Sequence, residues 1–228
     1  MRKVTLGMAS QTLIVPAADP NSGIPLHAPG AQAEEAWSAT WSAAHSLITS
    51  RQNVSPRRLA GPAPSSQQLQ SVLNLAAAAP DHGQLTPWRF VVVPVDKRVL
   101  LAEAFALALI DRDPGATLEQ IEAAREKAYR APLLVLAIAR LSGGSEEVTA
   151  AERLVSLGAA IQNVLLGAQA MGFGAGLTSG RGITSTRVRS LFAVQHGEEP
   201  VCFISIGTPG RLRVRRERPH AAAFVTQL

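Results

Sequence analysis

A chain of 228 residues, 46% hydrophobic and only 4% aromatic, is long enough to bury one sizeable core. Its single cysteine, Cys202, excludes an internal disulfide, which fits a reducing cytoplasm, and no apolar run is long enough to span a bilayer without polar interruption. The net charge of +5 leans toward anionic partners such as phosphates and says nothing about fold.

Residues 1–36 read as an extension. Pro, Gly, Ser and Asn recur there without a persistent period up to about Gln32, and Arg2 and Lys3 are not followed by the continuous apolar stretch of a signal peptide. The pattern turns helical from Ala33 to Ser50, with Trp37, Trp41, Ala44, Leu47 and Ile48 near one face. Arg51-Gln52-Asn53-Val54-Ser55 is polar and ends at Pro56, and Pro62 and Pro64 mark a connector. Ser65 or Ser66 can cap the next helix, whose buried stripe is Leu69, Val72, Leu73 and Ala76.

That helix leads into Ala76 to Val93, AAAAPDHGQLTPWRFVVV, the stretch around which the chain is organised. Small helix formers stop at Pro80. A short polar loop, Asp81 to Thr86, follows, and Pro87-Trp88 enters a strand expected over Phe90 to Val95. The loop offers a histidine and an amide but no obvious nucleophile, as befits a ledge that holds a ligand rather than attacks it. Trp88 and Phe90 read as core residues anchoring the strand.

Lys97 to Leu109 is expected to be helical. Thr117-Leu118-Glu119-Gln120 has capping-box spacing and starts another helix, which runs to about Tyr129 and stops before Pro132. Leu133 to Ala139 is a continuous apolar run of strand length, expected to be central and buried on both faces. Ser142 to Ser145 is a loop. Glu152 to Met171 is the longest helical pattern, apolar nearly all round and kept slim by Gly158, Gly167 and several alanines, so it belongs in a core or a subunit interface. Gly172 to Gly176 reads as a helix C-cap followed by a glycine turn, with close backbone approach to a ligand as the lesser option. A short helix capped by Thr184 or Ser185 runs to Phe192, and Val201 to Gly207 is a last strand. The tail from Arg211 to Arg218 is strongly basic. Strands separated by helices give an α/β or α+β class, with helices packed on a small sheet.

Most catalytic chemistries find no support. His27, His45, His82, His196 and His220 are scattered, without metal-ligand spacing. Cys202 lies in an apolar strand, where a thiol is a small hydrophobe. Glu146-Glu147 and Glu198-Glu199 are charge runs of the kind found on solvated faces. Gly172, Gly174 and Gly176 follow a helix rather than a strand, at the wrong offset for dinucleotide binding. Taken singly, Arg51 is a helix-terminal arginine, His82 a loop histidine and the tail a solvated basic face.

Five segments in order nevertheless resemble one family. They are Arg51 to Ser55; Leu59-Ala60-Gly61-Pro62-Ala63-Pro64; Ala79-Pro80-Asp81-His82 with Pro87-Trp88-Arg89-Phe90; Gly172-Phe173-Gly174 with Thr178-Ser179-Gly180; and Phe203 to Pro209. The likeness is to the FMN-dependent nitroreductase family, in particular its compact subgroup of NAD(P)H nitroreductases, and it covers about Ala43 to the C-terminus. It implies an α+β fold of three layers, a central mixed β-sheet flanked by helices, over residues 37–228, and an intertwined homodimer with FMN sites at the subunit interface. It further implies that Arg51, Gln52 and Asn53 hold the FMN phosphate and ribityl region, that His82 contacts the flavin, and that Leu177, Thr178 and Ser179 contact FMN across the interface. Gly167 to Gly172 would fall where NAD(P)H approaches. No side chain is then a catalytic acid or nucleophile, because the cofactor carries the chemistry. NAD(P)H would reduce FMN and leave, and a nitroaromatic, quinone-like or other small acceptor would take its place in a ping-pong cycle. No metal, nucleic acid or membrane partner is implied, and the location expected is cytoplasmic.

Three departures stand out. The family opening is commonly Arg-Arg-Ser, and here it is Arg-Gln-Asn. Leu177 replaces a larger polar or aromatic residue, and Ala78 stands where a near relative carries a base. The basic tail is a candidate to compensate at the phosphate. The alternatives left open are a flavin-binding or sensor module without turnover and, with no motif behind it, a basic nucleic-acid binder.

Overall fold

The computed structural model describes residues 31–210 and 217–227, with residues 31–37 described by their backbone alone. The irregular stretch expected before Ala31 and most of the basic tail lie outside these. Contacts divide the chain into residues 1–42 and residues 43–228. Helix α1 spans Ala31–Ser50.

The larger unit is built on five strands: β1 (Leu59–Ala60), β2 (Trp88–Val92), β3 (Leu133–Arg140), β4 (Gly174–Thr178) and β5 (Glu198–Pro209). β3 lies between β2 and β5, and β5 also pairs with β4 and, at its end, with β1. Among the described residues every ladder is antiparallel. The parallel component of the expected mixed sheet is one isolated bridge, Asn53 to Ala175. The two-residue β1 was read from the sequence as connector, and β5 begins at Glu198 and ends at Pro209, longer at both ends than its apolar centre predicts.

β3 explains the layering. Leu133 through Ala139 are all buried, as the unbroken apolar run predicts. Side chains alternate across a strand, so Leu133, Val135, Ala137 and Ala139 enter a core with Val72, Leu157, Ala160 and Val164, from α2 (Ser66–Asn74) and α5 (Ala150–Ala170). Leu134, Leu136 and Ile138 enter a second core with Leu101, Ala104 and Val188, from α3 (Arg98–Arg112) and α6 (Thr186–Leu191). Helices thus cover both faces of the sheet, giving the three-layer α+β architecture. Cys202 is buried in the first core, and burial pushes its thiol up to about 11.

The helix starts follow local chemistry. Ser65, Thr117 and Thr149 each accept a hydrogen bond from the backbone N–H three residues on, and the side chains of Gln68, Gln120 and Glu152 accept the cap residue's own N–H in return. α4 (Leu118–Arg125) tightens into a 3-10 turn, Glu126–Tyr129, before the chain reaches Pro132. Ser185 rather than Thr184 caps α6.

An ion pair joins β2 to β5 and reaches the end of α6. Arg89 on β2 reaches Glu198 with Nε and Nη2, each at 2.8 Å, and also donates to the carbonyls of Phe192 and Ala193. Glu198 is 9% exposed and accepts the Gln195 N–H as well. The Arg89 hydrogen bonds hold its carboxyl at about 2 against an opposing cost of burial. A carboxyl depressed on folding stabilises the fold above its unfolded value and loses that contribution as pH falls toward the folded one. Urea unfolding of the wild type should therefore lose roughly 2–3 kcal/mol more than Glu198→Gln between pH 6 and pH 2. Equal losses in the two proteins would show that this pair does not set the acid limit.

Candidate functional site

Arg51 follows the last turn of α1 and is partly buried. Gln169 near the C-terminal end of α5 fixes that turn, its Nε2 donating to Leu47 O at 2.9 Å and Ser50 Oγ at 2.7 Å. Arg51 and Gln52 line a cavity of about 220 Å³ with Gln169, Gly172 and Phe173. Burial, and then the charge of Arg218, push the Arg51 guanidinium below its ordinary value. Arg218 donates from Nη2 to the Arg51 carbonyl at 2.6 Å. One arginine of the basic tail therefore meets the first residue of the Arg-Gln-Asn segment, and two like charges sit together where an anion would relieve both.

Asn53 joins this segment to β4. Its Oδ1 accepts the Leu177 N–H at 2.9 Å, and Val54 N–H donates to Ala175 O at 2.9 Å. This corrects part of the reading of Gly172 to Gly176 as a helix cap followed by a glycine turn, since β4 begins at Gly174. The segment is a strand, poor in β-branched residues because it must admit a neighbouring backbone: a Cβ on Gly176 would collide with the Val54 carbonyl. The helix-cap part of that reading does hold for Gly172, which has φ +84° while Phe173 N–H reaches back to Ala168 O. Leu177, Thr178 and Ser179 lie exposed at the end of β4. Gly167 packs against Val72 and Leu75, so its lack of a side chain serves the contact between α5 and the end of α2.

The Asp81 to Thr86 loop is held by Asp81, whose two carboxylate oxygens accept the N–H groups of Leu85 (3.1 Å) and Thr86 (2.7 Å). Gly83, Gln84 and Thr86 have positive φ. Trp88 is buried, and Phe90 packs on the first core. His82 is 64% exposed, with Nδ1 3.1 Å from Glu152 Oε1. Glu152 also accepts the Thr149 backbone N–H and hydroxyl. Those bonds, with His82 third, hold its carboxyl at about 2.

Of the residues proposed from sequence, the fold brings Asn53, which follows Arg51 and Gln52, beside Leu177 within one chain, although the resemblance implies that Leu177, Thr178 and Ser179 reach the flavin across the interface. The fold does not bring His82 to them within one chain. His82 contacts Glu152 in the first turn of α5, whereas Gln169 holds the Arg51 end, and at 1.5 Å per residue these points are about 25 Å apart along the helix. The sequence marked the basic tail as a candidate to compensate at the phosphate but did not single out Arg218. Glu152 was visible as a capping residue, but its contact with His82 needs the fold.

The nitroreductase family model matches residues 48–208. A Haemophilus influenzae protein described as "Putative NAD(P)H nitroreductase" is 31% identical over 171 residues, 75% of this chain and 90% of its own length. YdjA of Escherichia coli K12, with the same description, is 32% identical over 163 residues, 72% of this chain and 86% of its own. Among solved structures, a nitroreductase-like family protein from Bacillus cereus aligns with a TM-score of 0.70 at 18% identity, over 81% of this chain and 95% of that one. The FMN-dependent nitroreductase NfnB from Mycobacterium smegmatis, solved in complex with NADPH, aligns with a TM-score of 0.66 at 18% identity, over 83% and 99%. The structural likenesses speak for the fold. Together with a family match running from the end of α1 into β5, and relatives above 30% identity that it nearly spans, they lead to one conclusion: the chain belongs to the nitroreductase family of oxidoreductases.

Proposed function

We propose that the protein is an FMN-dependent NAD(P)H oxidoreductase that passes electrons to a nitroaromatic, quinone-like or other small acceptor by ping-pong turnover, working as a homodimer in the cytoplasm. The observation that carries this reading is the convergence of Arg51 and Arg218 beside Asn53 and the end of β4. FMN, when bound, supplies the hydride chemistry, accepting two electrons from the nicotinamide and releasing them to the acceptor. The chain's own work is to bind and orient. Arg51 and Arg218 would hold the phosphate dianion through charge-assisted hydrogen bonds. Asn53, its Oδ1 taken by Leu177, has amide N–H groups that can donate to the phosphate or ribityl oxygens. The exposed hydroxyls of Thr178 and Ser179 and the nearby backbone amides are of the type needed at the flavin's polar edges.

The distance along α5 supports the dimer. A site that includes both Arg51 and His82 must draw His82 from a second copy. α5 has the surface for this: Ala151, Val155 and Gly158 recur at helical spacing on its solvent side, with Val155 70% exposed and Leu154 beside it at 43%. The single buried cysteine and the demand for NAD(P)H fit a cytoplasmic setting.

The test is an absorbance spectrum of the purified protein reconstituted with FMN, recorded before and after NADH or NADPH under anaerobic conditions. A flavin spectrum bleached by either nucleotide is expected, with reoxidation on adding a quinone. A flavin that neither nucleotide bleaches would point to a sensor module, and a protein that takes up no FMN would overturn the cofactor assignment.

A further inference from the structure

The other face of the sheet carries a second, larger cavity. The end of β4 and the segment after it, Thr178 to Ile183, line a space of about 440 Å³. Ser205 on β5 pairs with Gly176 on one side and Leu134 on the other. Its floor is apolar: Phe105 and Phe203 meet edge to face at 5.7 Å, with Leu134 and Ile183 beside them. A volume of this order holds a substituted aromatic ring or a sugar phosphate.

Two buried polar atoms at the cavity are unmatched. Ser205 is 1% exposed, and its hydroxyl has no hydrogen-bond partner among the described residues; the same holds for the buried Nε of Arg130. A buried serine facing a cavity without a partner is an exception that calls for an occupant. Arg112, Lys127, Arg130 and Arg181 also line the cavity, and none of them forms an ion pair with a described residue. Three nearby carboxylates are engaged elsewhere, Glu103 and Glu122 with Arg125 and Asp111 with Arg187, while Glu126 acts on Arg130 without forming an ion pair. Burial, then Arg130 and Arg112, push Lys127 below its usual range. Burial and Arg57 do the same to Arg130, with Glu126 opposing.

We propose that this cavity is a binding site for a small organic anion, its carboxylate or phosphate held by Arg130, Lys127 and the Ser205 hydroxyl and its apolar body resting on Phe105 and Phe203. The site is separate from the Arg51–Arg218 pair and stands whether or not the flavin reading does. Thr178 and Ser179 line it too, so an anion bound here would lie against the segment assigned to the flavin.

Calorimetric titration tests this on the full chain, with and without saturating FMN. The probes are benzoate, inorganic phosphate and, as a neutral counterpart of benzoate, benzyl alcohol. Saturable binding of benzoate is expected, with benzyl alcohol weaker by about tenfold or more. Binding of phosphate without benzoate would also support the site and identify a phosphorylated ligand. Lys127→Ala and Ser205→Ala should each weaken the bound probe by about tenfold, with thermal melts confirming that the variants fold. The proposal is overturned if neither anion binds, if both variants bind as tightly as wild type, or if FMN displaces the probe one for one.

Discussion

Arg51→Ala is expected to weaken FMN binding by about ten- to a hundredfold, the loss of one or two charge-assisted hydrogen bonds to a phosphate dianion. Arg51 is partly buried and has Arg218 as its charged neighbour, so it has no competing acid to lose. Titration of the apoprotein with FMN, followed by flavin fluorescence, gives the dissociation constant. Riboflavin supplies the control, because it lacks the phosphate and should bind wild type and variant alike. Unchanged FMN affinity in Arg51→Ala would remove the phosphate from this corner of the molecule. The missing second arginine of the family opening makes the prediction sharper, since Gln52 leaves Arg51 as the one cation of its segment.

The largest stability effect is expected at Arg98. Its side chain is 3% exposed at the start of α3, yet its partners are carbonyls. Nε donates to Val93 O at 3.2 Å, Nη1 to Ala128 O at 2.6 Å and Ala131 O at 3.2 Å, and Nη2 to Pro132 O at 3.4 Å. This one guanidinium closes both the exit from β2 and the entry to β3. Arg98→Met keeps much of the apolar stem but leaves those carbonyls without donors, at an expected cost of roughly 3–5 kcal/mol. Urea unfolding of both proteins measures it, and a loss below about 1 kcal/mol would mean that water replaces the guanidinium.

The sequence made the strongly patterned elements legible. Thr117 and Gln120 announced α4 because a capping box is local chemistry, and Leu133 to Ala139 announced a two-sided strand because nothing in it is polar. β4 was not legible. Gly174 and Gly176 have no strand preference of their own, and the reason for them, Pro209 and Leu59 against Gly174 and the Val54 backbone against Gly176, comes from segments far away in sequence. The same holds for the site. Arg51, Asn53 and Leu177 could be nominated by resemblance. The meeting of Arg51 with Arg218, and the unpartnered hydroxyl of Ser205, depend on distances that no spacing rule encodes.

β3 carries a further consequence. With seven consecutive buried apolar residues, polarity cannot tell its correct alignment from one displaced by a single residue, an error that would exchange its two faces. Size can. The face toward α5 tapers from Leu133 and Val135 to Ala137 and Ala139, whereas the other carries Leu134, Leu136 and Ile138. A one-residue displacement would drive leucine and isoleucine into space shaped for alanine and leave voids opposite. The irregularity between Ala137 and Ile138, where the pairing with β5 skips a residue, adds a second marker. Side-chain volume, rather than the usual division between water-facing and core-facing residues, is what tells this strand where to stop sliding.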